Sequence, residues 1–295
     1  KKILNFKGIS IDSKKIKKGN LFVAIKGTKK DGHNYVMEAL KKGAKYSIVS
    51  KKMKKFLRNK VIQTNNTNSF LNIFAKFKRE ETKAKIIAVT GSAGKTTVKT
   101  LLGEMLKNYG KTFYSPKSYN NHYGVPLSLS NLENSHKFGV FEIGMSKAGE
   151  ILKLSKLVKP EIGIITNVGE AHIENFKNIK GVAKAKSEII SNIERDGAII
   201  LNRDDKFFNY LNSKAKSKNI RVITFGKSKK SDVHIIKIKK YGEIKKISIR
   251  FKNEVFKLEI KNINVYNVLA SIAALKEFGL NPQKTLHLFR NFEPS

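Results

Sequence analysis

Residues 90–97 read Thr90, Gly91, Ser92, Ala93, Gly94, Lys95, Thr96 and Thr97, a glycine-rich turn that ends in a lysine and two hydroxyls. The chemistry that suits this pattern is the holding of phosphate. Glycine lets the backbone approach phosphate oxygens and take dihedrals that a Cβ forbids. A helix starting at the end of the turn adds unpaired N–H donors and partial positive charge. Lys95 would then reach the β- and γ-phosphates of a nucleotide, and the Thr96 hydroxyl would sit on Mg²⁺. The general pattern has a further glycine five residues before Gly94, where this chain has Val89, so the turn is a contracted version.

Other residues could share that chemistry. Glu142 follows the apolar run at 138–141, and a carboxylate at a strand end beside such a turn can hold Mg²⁺ or simply be a surface acid. His172 comes shortly after the apolar run at 162–165. Alone it is an ordinary loop histidine; just after a strand of the same sheet it is a candidate metal or phosphate contact. Lys186, by periodicity alone, is one more lysine on an amphipathic helix. Asn120, Asn121 and His122 lie in one asparagine-rich segment, and Asn264 and Asn267 in another. Amide side chains can read a base or hold a loop equally well.

These residues need elements to position them. In the first 83 residues, apolar runs near 8–11, 21–25, 46–49 and 61–63 predict strands. The spacing predicts helices over 35–42 and 68–78, the second capped by Asn66 or Asn68. The polar residues 80–83 read as a linker. From residue 84 the pattern alternates, with strands at 85–90, 111–115, 138–143, 161–166, 197–201 and 220–225. Helices fall near 97–108, 148–157, 181–194 and 206–217. Such alternation predicts a mostly parallel sheet with ligands at the carboxyl ends of its strands. Three alternating segments within 232–260 predict an antiparallel extension, and helices over 265–278 and 282–290 follow. The expected fold class is α/β: a small N-terminal α/β domain, residues 1–83, then a P-loop-type central domain, residues 84–295.

The 295 residues suffice for two cores, and 40% hydrophobic content argues against disorder. No apolar run approaches the length of a membrane span and no signal peptide opens the chain, so a soluble, cytoplasmic protein is expected. Zero cysteines exclude disulfides and thiolate metal sites. The net charge of +37 suggests either a polyanion partner or a lysine-rich solvated surface. Lysines spread along the whole chain favour the second, so nucleic acid is not expected as a partner.

Taken together these stretches resemble the Mur ligase family, the ATP-dependent amide-bond synthetases of peptidoglycan precursor assembly. The resemblance rests on Asp12-Ser13, on 21–27 and Asp31-Gly32-His33, on 90–97, and on 120–126. It continues through 141–144, Thr166-Asn167-Val168-Gly169 with Ala171-His172, 183–188, and 264–267. Within the family, Asn120-Asn121-His122-Tyr123-Gly124-Val125-Pro126 favours the activity that joins D-alanyl-D-alanine to UDP-N-acetylmuramoyl-tripeptide.

The resemblance implies residue roles. Ser13, Lys26 and Gly27 would bind the UDP end of the substrate, and Asn120, Asn121 and His122 would also contact substrate. Residues 90–97 with Asn264 and Asn267 would bind ATP. Thr96, Glu142, His172 and a carbamylated Lys186 would hold Mg²⁺, with Lys95, His172 and Lys186 catalytic. The family usually has Arg where Lys14 stands and often His where Ile263 stands. A third, C-terminal domain would begin about where this sequence ends, so the chain is expected to lack it, to be a feeble ligase alone, and to be a monomer. The alternatives are a UDP-sugar and ATP-binding piece without ligation, another Mur ligase such as the one adding the diamino acid, or, from charge alone, a nucleic-acid-dependent ATPase.

Overall fold

Four short apolar runs of the first unit become a parallel sheet in the order β1 (Ile9–Ser10), β2 (Leu21–Val23), β3 (Tyr46–Val49), β4 (Val61–Gln63). The structure is a computed structural model that describes residues 5–53, 57, 59–171 and 173–293. This unit comprises Lys1–Glu81 together with Pro126–Glu133. Helices α1 (Val36–Lys41) and α2 (Thr67–Glu81) follow β2 and β4. Phe22, Ala24, Val36, Ala39, Ala44 and Val49 form a buried cluster. The Asn66 side chain accepts from Ser69 N at 2.9 Å, so of the two candidate caps Asn66 holds the start of α2. Glu80 and Glu81 belong to that helix and not to a linker. Asn131 pairs with both backbone groups of Ile9, at 2.9 and 3.0 Å, as an extra strand would.

The second unit, Thr82–Val125 with Asn134–Ser295, is built on a nine-stranded sheet. Its strands in chain order are β5 (Lys85–Thr90), β6 (Thr112–Tyr114), β7 (Phe138–Glu142), β8 (Ile162–Ile165), β9 (Ala198–Asn202), β10 (Arg221–Gly226), β11 (Val233–Tyr241), β12 (Ile244–Phe251) and β13 (Glu254–Lys261). Across the sheet they run β13-β12-β11-β10-β9-β8-β5-β7-β6. The pairs from β6 to β11 are parallel, and the pairs among β11, β12 and β13 are antiparallel. Strands covered on both faces read as unbroken apolar runs, as β7 and β8 do, whereas the half-covered β13 alternates. The α/β class and the antiparallel extension are those expected from the sequence.

Helices α3 (Lys95–Lys107) and α8 (Val265–Glu277) share one buried cluster with β5, β7, β8 and the antiparallel strands. The others are α4 (Gly124–Ser130), α5 (Glu150–Val158), α6 (Ile179–Ser187) and α7 (Phe208–Lys216). Three elements differ from the sequence reading. Helix α4 lies hidden behind the asparagines at 120–121, in a Gly-Val-Pro start that reads as turn. The helix expected over 181–194 ends at Ser187 and continues as a 3₁₀ turn, Glu188–Asn192. Pro282–Phe289 is a 3₁₀ helix although its buried residues, Pro282, Thr285, Leu286 and Phe289, keep the spacing that an α-helix would also have.

The connection after β5 runs toward the β6 edge and that after β8 toward β9, so the crevice outside their carboxyl ends opens between them. Among the described residues no helix is long and apolar enough to cross a membrane.

Candidate nucleotide and metal site

The turn between β5 and α3 is shaped by two glycines with positive φ. Gly91 has φ 149°, and a Cβ there would stand 1.8 Å from Thr166 Oγ1. Gly94 has φ 80°, and its Cβ would stand 2.5 Å from Asn267 Oδ1. Val89, where the general pattern has glycine, is a fully buried strand residue. The end of β8 supplies the missing restraint. Asn167 Oδ1 accepts from Ser92 N at 3.0 Å and Ala93 N at 2.9 Å, and Thr166 Oγ1 donates to Ala93 O at 2.5 Å. Ser92 Oγ donates to Gly169 O and accepts from Gly169 N, at 2.9 and 2.8 Å.

Helix α3 starts at Lys95 with no side chain capping it, so its first N–H groups face the turn as an anion site. The Lys95 ammonium donates to Gly91 O at 2.8 Å and Ser92 O at 3.3 Å. Burial holds its pKa below the usual lysine value, and the charge of Glu142 opposes that shift. Thr96 Oγ1 donates to Glu142 Oε2 at 2.8 Å, and Asn120 Nδ2 donates to the other carboxylate oxygen at 2.7 Å. Glu142 is 1% exposed, so its charge is held inside the protein beside these donors.

Lys186, on α6, is 3% exposed. Burial first, and then the charge of Lys95, push its pKa down to about 7. A good fraction of it is therefore a neutral, nucleophilic amine near neutral pH. Lys95, Lys186, Asn120, Asn121 and His122 line one cavity of about 470 Å³. On the other side of the turn, Gly94, Thr97, Asn167, Asn264, Tyr266 and Asn267 line a second cavity of about 280 Å³. Asn264 caps α8 by accepting from Tyr266 N at 2.9 Å, which fixes the entrance to that second cavity.

The structure thus gathers Lys95, Thr96, Glu142, Asn120 and Lys186 on one side of the turn and Asn264 and Asn267 on the other. His172 lies outside the described residues. Ser13, Lys26 and Gly27 belong to the first unit. There Ser13 Oγ donates to Glu38 Oε2 at 3.1 Å, the backbone of Lys26 forms an isolated antiparallel β-bridge with that of Asp31, and Gly27 N donates to Lys30 O at 2.9 Å. Sequence reasoning gave no role to Thr166 and Asn167, which hold the turn, to Ser115, whose Oγ accepts from Glu142 N at 3.1 Å, or to Lys99, whose ammonium donates to Ser115 O and Lys117 O. The signal for Lys99 is its position, four residues after Lys95 among Val98, Leu101 and Leu102.

A Thr hydroxyl and a buried carboxylate are hard oxygen donors, the kind that Mg²⁺ takes together with substrate phosphates and water. Among the described residues no group of three or more His, Cys, Asp or Glu forms a cage for a metal by itself. The donor set therefore fits Mg²⁺ bound along with a nucleotide.

The family description "Mur ligase middle domain" matches residues 89–275, and "Mur ligase family, catalytic domain" matches residues 5–79. The chain is 37% identical over 241 residues to the UDP-N-acetylmuramoyl-tripeptide--D-alanyl-D-alanine ligase of Rickettsia prowazekii, covering 81% of this chain and 54% of that protein. The ligase of the same name from Bacillus subtilis is 30% identical over 278 residues, 94% of this chain and 60% of that protein. The chain therefore spans little more than half the length of these relatives. Among solved structures, MurF from Acinetobacter baumannii superposes with a TM-score of 0.86 at 28% identity, covering 98% of this chain and 64% of that one. MurF ligase from Thermotoga maritima in complex with ADP gives 0.79 at 27% identity, covering 95% and 65%. With residues 89–275 matched as a middle domain that holds the glycine turn, Glu142 and both lysines, this chain belongs to the Mur ligase family.

Proposed function

We propose that the chain carries the nucleotide and acyl-donor sites of an ATP-dependent ligase that joins D-alanyl-D-alanine to UDP-N-acetylmuramoyl-tripeptide, in the cytoplasm. The observation that carries this is the contact of Thr96 with buried Glu142, directly beside Lys95 at the head of α3. The substrate carboxylate attacks the γ-phosphorus of ATP; its oxygen forms a bond to phosphorus as the bond to ADP breaks. The amine of the dipeptide then attacks the carbonyl carbon of this acyl phosphate, a C–N bond forms, and phosphate leaves as the amine loses a proton.

In the first step charge must be neutralised and groups aligned, more than covalent help given. Lys95 turns from its own loop carbonyls toward the β- and γ-phosphates, and the free amides at the start of α3 bind their oxygens. Thr96 and Glu142 would hold Mg²⁺, which when bound neutralises charge on the phosphates. Glu142 and His172, with Lys186, would support a second such ion. For Lys186 that requires addition of its neutral amine to CO₂ with loss of a proton, which replaces a buried cation beside Lys95 by an anion. Asn264 and Asn267 hold the nucleotide from the other cavity. Asn120, Asn121 and His122 face the acyl donor, while Ser13, Lys26 and Gly27 receive its UDP end. The reading gives nucleic acid no part and needs only one copy of the chain.

The test is phosphate release from ATP that requires both UDP-N-acetylmuramoyl-tripeptide and D-alanyl-D-alanine, alongside calorimetric binding of ADP with Mg²⁺. Lys95→Ala should lower kcat by about 10²–10³-fold, the usual loss when one transition-state donor is removed. Full turnover by that variant sinks the proposal. A protein that binds both nucleotides yet forms no amide product would instead favour a binding role without ligation.

A further inference from the structure

Lys99 is the buried cation that the mechanism above does not use. It lies one turn beyond Lys95 on the same side of α3 and is 2% exposed, where lysines are seldom found unless paired. Its Nζ donates to Ser115 O at 2.9 Å and to Lys117 O at 2.8 Å, and stands 5.7 Å from the centre of the Tyr114 ring. Lys117 has φ 46°, a left-handed conformation uncommon outside glycine, so the segment 115–120 is sharply bent at the carbonyl that Lys99 holds.

That segment meets Glu142 at both of its ends. Ser115 Oγ accepts from Glu142 N at 3.1 Å, and Asn120 Nδ2 donates to Glu142 Oε1 at 2.7 Å. Asn120 O also accepts from Gly144 N at 2.8 Å, just past the acid. A leucine or methionine at position 99 would fill the core without burying a charge, but would take the donor from the buried carbonyl of Ser115 and the part-buried carbonyl of Lys117.

We propose that Lys99 is a positioning residue for the metal-binding acid: through the carbonyls of Ser115 and Lys117 it fixes the segment 115–120, and Asn120 thereby keeps Glu142 aligned with Thr96. The proposal rests on the nucleotide and Mg²⁺ reading above. It makes a specific division: Lys99 serves the metal half of the site, while the glycine turn is held separately, by Thr166 and Asn167.

The test measures ADP binding to this chain by calorimetry, without Mg²⁺ and across a Mg²⁺ titration, with thermal melting as the check on folding. Lys99→Met should bind metal-free ADP within about twofold of the parent, while the Mg²⁺ concentration for half-maximal enhancement rises about 10-fold or more, as for loss of an outer partner of a metal ligand. Asn120→Ala should raise it too, and the double variant should add little to the larger single shift, because both act along one path. Lys99→Gln, with an N–H donor on a shorter stem, covers the case in which Lys99→Met does not fold, and an intermediate rise is expected. A folded Lys99 variant with the parent's Mg²⁺ requirement, or one that loses metal-free and Mg²⁺-dependent binding equally, overturns the role of Lys99 alone. A parent chain without Mg²⁺-dependent ADP binding overturns the ligase reading as well.

Discussion

The two cavities on either side of the phosphate turn are built from different chemistry. One has Lys95 and Lys186 on its wall, with Glu142 bonded to two of its neighbours; the other is lined largely by the amides of Asn167, Asn264 and Asn267. Charged groups are costly to bury and are arranged where charge must change during a reaction. Neutral amides are cheaper to bury and hold a ligand without favouring one charge state. On the proposed function, the contrast makes the charged side of the turn the reacting side and the amide side the holding side. The buried lysines repeat it on a smaller scale: Lys99 is tied to two carbonyls, whereas Lys186 faces another cation and has its pKa brought to about 7.

Lys186 offers the largest effect by which to break this comparison. The unfolded chain keeps that proton up to the ordinary lysine value of 10.5, and the folded chain only up to about 7. The unfolded state therefore binds more protons between those limits, and stability should rise with pH across that window and be flat below it. In CO₂-free buffer, where Lys186 stays an amine, Lys186→Met should remove a penalty of roughly 4–5 kcal/mol at pH 7, a gain that shrinks toward pH 10 as the parent loses its charge. Urea unfolding at pH 7 and pH 10 measures it, while ligase turnover should be lost. Equal gains at both pH values would mean that Lys186 is not a strained cation.

Next in size is Gly94→Ala on the holding side. The methyl would meet Asn267 Oδ1 at a backbone φ of 80°, and the strain should cost roughly 1–3 kcal/mol of stability. ADP binding without Mg²⁺ should weaken with it. The smallest expected effect is that of Asn264→Ala, which removes the cap of α8 at a cost of about 1 kcal/mol in unfolding experiments. It should weaken ADP binding but leave the Mg²⁺ requirement unchanged. A changed requirement would blur the division between the two sides.

What could be read from the sequence was whatever neighbours along the chain dictate. The glycine spacing at 91 and 94 marks the turn, and unbroken apolar runs mark strands covered on both faces. Asn66 could be named because a cap acts within three residues. What could not be read depends on partners far away. Asn167 holds amides more than seventy positions earlier, and Lys99 reaches carbonyls sixteen and eighteen positions later. The one local mark of Lys99 is its place on the apolar face with Val98, Leu101 and Leu102, and nothing nearby in the chain names the carbonyls it reaches. The start of α3 at Lys95 was missed by two residues because the cap is glycine, which leaves no side-chain signal. Pro282–Phe289 has apolar spacing that suits either an α or a 3₁₀ helix, and sequence period alone does not choose between them.

The clasp of Asn167 on Ser92 and Ala93 has a thermodynamic corollary. A loop that its own domain has already immobilised loses little conformational freedom when a ligand arrives, because that loss was incurred during folding. An incoming nucleotide therefore meets a rigid cradle, and its affinity is not diminished by having to organise the receptor.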